Sequence, residues 1–183
     1  AGRGIDNRAG IWVAAEALRR AVERDVDVTV HAVATVQEEV GLKGAKMVGT
    51  ELDADAVIAV DVSHASDNPA YPETQANDVA LGDGPVVGRG TANHPEVVEA
   101  VREAGEAADL PVQLMAAGRR TGTDADAFYT QRGGTPSLNL GIPNRYMHTP
   151  VEVIDLEDLD AAADVAVETA ARAVDREDFH VTL

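Results

Sequence analysis

Val28-Thr29-Val30-His31-Ala32-Val33-Ala34-Thr35-Val36 runs without a break into Gln37-Glu38-Glu39-Val40-Gly41. The apolar, β-branched run reads as a buried strand over 27–36. The glycine and the Lys43-Gly44-Ala45 that follow read as a turn into a helix. Two adjacent carboxylates then sit at the mouth of a strand, where ligands bind in α/β sheets. Such a pair can divide labour, one member holding a metal while the other moves a proton. Glu-Glu by itself is an ordinary surface pair, so its meaning depends on the rest of the chain.

Working outward, strand and helix signals alternate. Residues 7–24 read as a helix, with Ile11, Ala14, Ala15, Leu18 and Val22 as its apolar stripe. A short helix is expected over 44–52 and a second buried strand over 56–62. A polar loop over 67–81 carries Pro69 and Pro72. Then come a short strand over 85–88, a helix over 94–108, a strand over 111–115, a short helix over 124–131, a strand over 136–141 and an Ala-rich helix over 156–174. This alternation argues a three-layer αβα sandwich around a mostly parallel, mixed sheet. Residues 1–183 read as one α/β domain, with no internal repeat or low-complexity segment.

The composition narrows the function. With 45% hydrophobic residues the chain is globular, and with 3% aromatics its core must be aliphatic. There is no Cys, hence no disulfide framework, thiol nucleophile or Cys-ligated zinc. No apolar run nears the ~20 residues that span a bilayer. Ala1-Gly2-Arg3-Gly4-Ile5 lacks the plan of a signal peptide. These features lead us to expect a cytoplasmic protein. Acids number 32 against 15 Lys and Arg, a net charge of −17, and the only lysines are Lys43 and Lys46. That field repels nucleic acid and anionic membranes. On a folded chain it points to a high-salt cytoplasm, because at molar salt the Debye length shrinks to about 3 Å.

Acids and a histidine recur where strands meet loops or helices. Asp6 opens the first helix, Glu38 and Glu39 end the first strand, Asp61 ends the second, and His148 follows the strand before Ile142-Pro143-Asn144-Arg145. This oxygen and nitrogen donor set suits zinc, cobalt or manganese. No Ser lies in a Gly-x-Ser-x-Gly context, so a serine hydrolase is not expected.

Five motifs now stand in order: Ile5-Asp6-Asn7-Arg8-Ala9-Gly10, Gln37 to Ala45, Ala59-Val60-Asp61-Val62, Gly122-Thr123-Asp124-Ala125, and Ile142 to Glu152. Together they resemble the M42 aminopeptidases, from Gly4 to about Asp158. The resemblance implies a zinc-peptidase-like fold and a metal-dependent aminopeptidase acting on short peptides. It implies two divalent ions, zinc or cobalt, with Asp6 bridging them. Glu39 and His148 would ligate one metal, and Asp61 would be a ligand as well. Glu38 would be the general base, and Gly122, Thr123 and Asp124 would line the substrate cleft. It also implies a homo-oligomer, a dodecamer in the complete family protein.

The family pattern includes a further histidine, in a His-x-Asp motif upstream of the bridging aspartate, and an inserted dimerisation domain. Only Ala1-Gly2-Arg3-Gly4-Ile5 stand before Asp6 here. The chain is therefore expected to be the C-terminal part of the catalytic domain. An inactive scaffold of that fold is the alternative reading. Glycoside hydrolysis by Glu38 and Asp61 is a weaker one, since a sugar cleft would call for more aromatics. Asp6 alone would read as a helix cap, His31 as a core or surface residue, His94 as a helix start and His180 as solvated.

Overall fold

The computed structural model describes residues 1–69, 71–176 and 179; His180 lies outside them. Among the described residues five α-helices and four strands follow one another: α1 Ile5–Glu23, α2 Lys43–Glu51, β1 Val57–His64, β2 Val86–Gly90, α3 Pro95–Ala107, β3 Gln113–Ala117, α4 Ala125–Phe128, β4 Ser137–Asn144 and α5 Leu156–Ala173. The sheet order is β1-β4-β2-β3. β1 and β4 are parallel in register from Val57–Ser137 to His64–Asn144, β2 and β3 are parallel, and β2 meets β4 antiparallel.

The period-2 alternation of the strands sorts the layers. Leu138, Leu140 and Ile142 of β4 and Val62 of β1 point to one face. There they meet Val13 of α1, Val97 and Val101 of α3, and Ala162 and Val165 of α5. On the opposite face Val57 packs with Ala45 of α2 and with Ala127 and Phe128 of α4. The αβα sandwich and its mixed sheet are as the sequence predicts.

Helix ends follow capping chemistry. Pro95 occupies the first turn of α3. The Asp155 carboxylate accepts from the Glu157 N–H at 2.9 Å and starts α5. Arg20 of α1 ties that helix to α5 through Asp160 and Asp164, at 2.7 and 2.6 Å.

Two expectations fail in the fold. The stretch over 27–36 is not a sheet strand: 28–35 makes no backbone hydrogen bond among the described residues. Its pattern is that of a strand, but no described strand lies beside it. The face of α1 is also rotated from the predicted stripe. Ala9, Val13, Ala17 and Ala21 are buried, while Ile11 and Val22 are exposed at 52% and 72%. Small residues win that face because the helix sits hard against β1. A Cβ on Gly10 would lie 2.3 Å from the Val60 carbonyl oxygen.

Candidate metal centre

The C-terminal ends of the parallel pair β1 and β4 gather the acids. Asp61 is the fifth residue of β1 and is 8% exposed; its carboxylate accepts from the Val62 N–H at 2.8 Å. Past β4, the chain turns through a loop closed by the backbone bridge between Arg145 and Val153. His148 sits in that loop with φ of 62°. Arg145 anchors the loop, its guanidinium donating to both Asp67 carboxylate oxygens at 2.7 and 2.6 Å. A side chain other than glycine held in the left-handed region costs about 1–3 kcal/mol, and such residues cluster at functional sites. Gln37, directly before Glu38, is held the same way, with φ of 61°.

Asp6 is placed by two residues that the sequence reading did not single out. Asp6 and Asn7 are non-helical inside α1, and Asn7, not Asp6, caps the regular helix that follows: its Oδ1 accepts from the Gly10 N–H at 2.8 Å, and its Nδ2 donates to the Val60 carbonyl at 2.8 Å. The Asp6 carboxylate is thereby left for the site. Glu152, 2% exposed, accepts from the Ile5 N–H at 2.8 Å and from Asn144 Nδ2 at 3.0 Å. It also accepts from the Asp6 N–H at 3.4 Å. The signals were in the sequence: Asn7 stands three residues before Gly10, and Glu152 closes the fifth motif.

Asp6, Glu39 and His148 come together. One ligand atom from each lies within 4.8 Å of the others. His148 Nε2 is 3.0 Å from Asp6 Oδ2 and 3.4 Å from Glu39 Oε1. The Asp6 side chain is 11% exposed, whereas Glu39 and His148 are open to solvent. An ion held there would keep coordination positions for water or substrate. Two carboxylates and one imidazole fit zinc, cobalt or manganese.

Glu38 and Asp61 stand outside that group of three but within its field. Burial pushes the Glu38 carboxyl up to about 7, helped by the charges of Glu39, Asp124 and Asp6. Burial likewise pushes Asp61 up to about 7, with the Val62 N–H opposing and Asp6, Glu38 and Asp124 adding to the rise. Asp6 rises to about 6, through burial and then the neighbouring Glu39. Such crowding of acids is costly without a cation, and perturbed carboxyls of this kind mark functional sites.

The expected cleft loop divides. Asp124 accepts a hydrogen bond from the Thr35 hydroxyl and joins the acidic field. Its Oδ1 is buried with no partner. Thr123 is buried and accepts from the Ala125 N–H at 3.3 Å. Gly122 lies on an exposed turn with φ of 75°. Burial lowers the His64 pKa and His148 lowers it further, but among the described residues His64 is outside the ligand group.

A cluster of acids at the strand ends of an α/β sheet, with a histidine beside it, is a donor set for a divalent cation. The chain belongs to the M42 glutamyl aminopeptidase family, whose model matches residues 1–165. It is 35% identical over 157 residues to a lysyl aminopeptidase of Pyrococcus furiosus, covering 85% of this chain and 44% of that protein. A TET aminopeptidase from a marine-sediment Thaumarchaeota archaeon superposes with a TM-score of 0.83 at 31% identity, over 93% of this chain and 49% of that one. The TET1 peptidase of Pyrococcus horikoshii, described as assembling into a tetrahedron or a large octahedral shell, gives 0.77 at 29% identity. It covers 93% of this chain and 49% of that one. The chain spans about half the length of the relatives it matches. Among the described residues no helix is long and apolar enough to cross a membrane.

Proposed function

We propose that this chain carries the metal centre of an aminopeptidase that removes N-terminal residues from short peptides. The supporting observation is the convergence of Asp6, Glu39 and His148 within 4.8 Å at the strand ends. In this reading Asp6, Glu39 and His148 would hold a divalent ion, and Asp61 with Asp6 would be the residues for a second. When bound, zinc or cobalt would supply Lewis acidity, polarising a peptide carbonyl and making a water acidic near neutral pH.

The chain's own groups do the rest. Glu38 takes the proton from the attacking water and hands it to the leaving amine. In the metal-free chain, burial first and then the neighbouring acids raise its carboxyl to about 7. The acidic pocket draws a protonated α-amino group, which favours the first peptide bond. Asp124 flanks Glu38 and, with Gly122 and Thr123, borders the place where substrate enters. The strong acidic excess fits a high-salt cytoplasm, and the TET neighbours favour a homo-oligomer, up to a dodecamer.

The test is release of p-nitroaniline from leucyl and glutamyl anilides by the chain loaded with zinc or cobalt at molar salt. Turnover that Glu38→Gln abolishes, with metal content unchanged, is the expected result. No turnover by the wild-type chain under any of these conditions rejects the peptidase reading for these 183 residues.

A further inference from the structure

His148 reaches the metal centre from the tip of a loop whose base is the backbone bridge between Arg145 and Val153. Tyr146 and His148 both hold left-handed backbone, with φ of 64° and 62°. That conformation costs free energy for any side chain but glycine, so the surroundings must enforce it. The tip does little of this itself. Thr149 Oγ1 donates to the Tyr146 carbonyl at 2.7 Å and accepts from the Val151 N–H at 3.2 Å, which closes the tip only on itself. Apart from Asp6 and Glu39, which His148 meets, no group outside the loop hydrogen-bonds residues 146–151 among the described residues.

The near end of the loop is tied to the body by Arg145. Its Nε and Nη2 donate to the two Asp67 carboxylate oxygens at 2.7 and 2.6 Å, and Nη2 also donates to the Asp67 carbonyl at 3.2 Å. A planar guanidinium matched to both carboxylate oxygens fixes orientation as well as distance. The same bonds hold the Asp67 carboxyl below its ordinary range, so the pair stays ionised at neutral pH.

Asp67 is itself fixed from three sides. The Ala65 N–H donates to the Asn144 carbonyl at 3.0 Å, so the chain leaves β1 and β4 side by side. The Ser66 N–H donates to the Val79 carbonyl at 3.0 Å, and Asp67 Oδ2 accepts from the Leu81 N–H at 3.0 Å. Next to Leu81, Ala80 exchanges two bonds with the Gln113 side chain, both at 2.9 Å. Gln113 opens β3, so the connection after β1 is pinned to the far edge of the sheet. Long connections between strands are uncommon unless they serve a function. This one contributes none of the three clustered ligands, yet it is bonded rigidly around the carboxylate that Arg145 grips.

We propose that Asp67 and Arg145 are positioning residues for the metal: they hold the near end of the His148 loop and so deliver the imidazole to Asp6 and Glu39. The inference rests on the reading of His148 as a ligand. Rigidity passes from β3 through Gln113, Ala80 and Leu81 to Asp67, then through Arg145 to the loop. The fork of Arg145 is taken up by Asp67, so it holds the loop rather than a substrate carboxylate. Groups that orient a metal ligand are typically worth about 10–100-fold in affinity.

The test is a double-mutant cycle on zinc affinity, read by isothermal calorimetry at molar salt, which needs no turnover. Asp67→Asn keeps the shape of the side chain and an oxygen for the Leu81 N–H but loses the ion pair. Arg145→Ala removes the fork. Each should keep the circular dichroism of the chain and weaken zinc binding at least about tenfold. In a His148→Ala background each should change the affinity by less than about twofold, because no imidazole is left to place. A general loosening of the fold would weaken both backgrounds alike. Arg145→Lys keeps the charge and loses the fork; it should fall between the wild-type chain and Arg145→Ala, and it carries the test should the alanine variant unfold. In the metal-free chain, the Val153 amide, which donates to the Arg145 carbonyl at 3.1 Å, should exchange at least about tenfold faster in Arg145→Ala. Unchanged zinc affinity, an equal loss with and without His148, or unchanged exchange at Val153 overturns the positioning role and leaves His148 a ligand. Equal zinc binding by the wild-type chain and by His148→Ala alone overturns the metal reading, and this proposal with it.

Discussion

Replacing Asp61 by Asn should stabilise the metal-free chain at high pH and do little at low pH. Asp61 is 8% exposed, and its carboxyl is pushed from an ordinary 3.8 to about 7. The sign follows from linkage. Below pH 3.8 the folded and unfolded chains both hold the proton, so Asp and Asn are equivalent. Between 3.8 and about 7 the unfolded chain gives it up while the folded chain retains it, and native stability falls as pH rises. Above about 7 the difference is constant. At ~1.4 kcal/mol per pH unit, the upper bound on the gain is about 4 kcal/mol. Part of the rise is repulsion from Asp6, Glu38 and Asp124, which belongs to the group of acids rather than to Asp61 alone, so about 2–3 kcal/mol is the expected gain at pH 8. The variant keeps an oxygen to accept the Val62 N–H. For a chain of this size each kcal/mol moves Tm by about 2–4 °C, so the rise is about 5–10 °C. Urea unfolding in EDTA and molar salt, at pH 4.5 and pH 8, is the assay. The gain should be under about 1 kcal/mol at pH 4.5. An equal gain at both values, or a loss at pH 8, refutes the claim that Asp61 is an expensive buried acid. Saturating zinc should invert the order, with the Asp61→Asn variant now less stable than the wild-type chain.

Other expectations follow from the same structure. Glu152→Ala should cost about 3 kcal/mol, because it orphans the Ile5 N–H and the Asn144 amide, and it should weaken zinc binding by displacing Asp6. Glu152→Gln should cost only about 1 kcal/mol. The Asn144 Oδ1 is buried without a partner, so its amide can turn to accept from the substituted side chain; calorimetric unfolding separates the two variants. With a net charge of −17, Tm should rise steeply between about 0.1 and 1 M salt and flatten beyond it; a flat profile would remove the case for a high-salt origin. In the metal-free chain, stability should fall as pH rises from about 4 to 7, as Asp6, Glu38 and Asp61 ionise. Zinc should abolish that slope in the same urea titration.

Most of the fold was legible because periodicity and punctuation agree. The valine-rich run of β1, Pro95 opening α3 and Asp155 capping α5 are local signals that tertiary structure leaves in place. Segment 28–36 carries an equally strong pattern, yet a strand exists only through its neighbours, and none of the described strands lies beside it. The stripe on α1 misled for a related reason. Hydrophobicity favoured Ile11 and Val22, but the close approach to β1 selects Ala9, Gly10 and Val13.

For the site, the order of motifs pointed to Asp6, Glu39 and His148, which the fold brings together from opposite ends of the matched region. The hold of Glu152 on Asp6 and the reach of Asp124 toward Glu38 are products of three-dimensional packing. The motif that Glu152 closes marks the residue but not its partner.

The central claim is that Asp6, Glu39 and His148 bind a divalent cation. Zinc titration by isothermal calorimetry at molar salt, on the wild-type chain and on His148→Ala, tests it directly. The account predicts at least one zinc per wild-type chain and an affinity at least tenfold weaker in the variant. A wild-type chain that binds no zinc, or a variant that binds it equally well, would contradict the account.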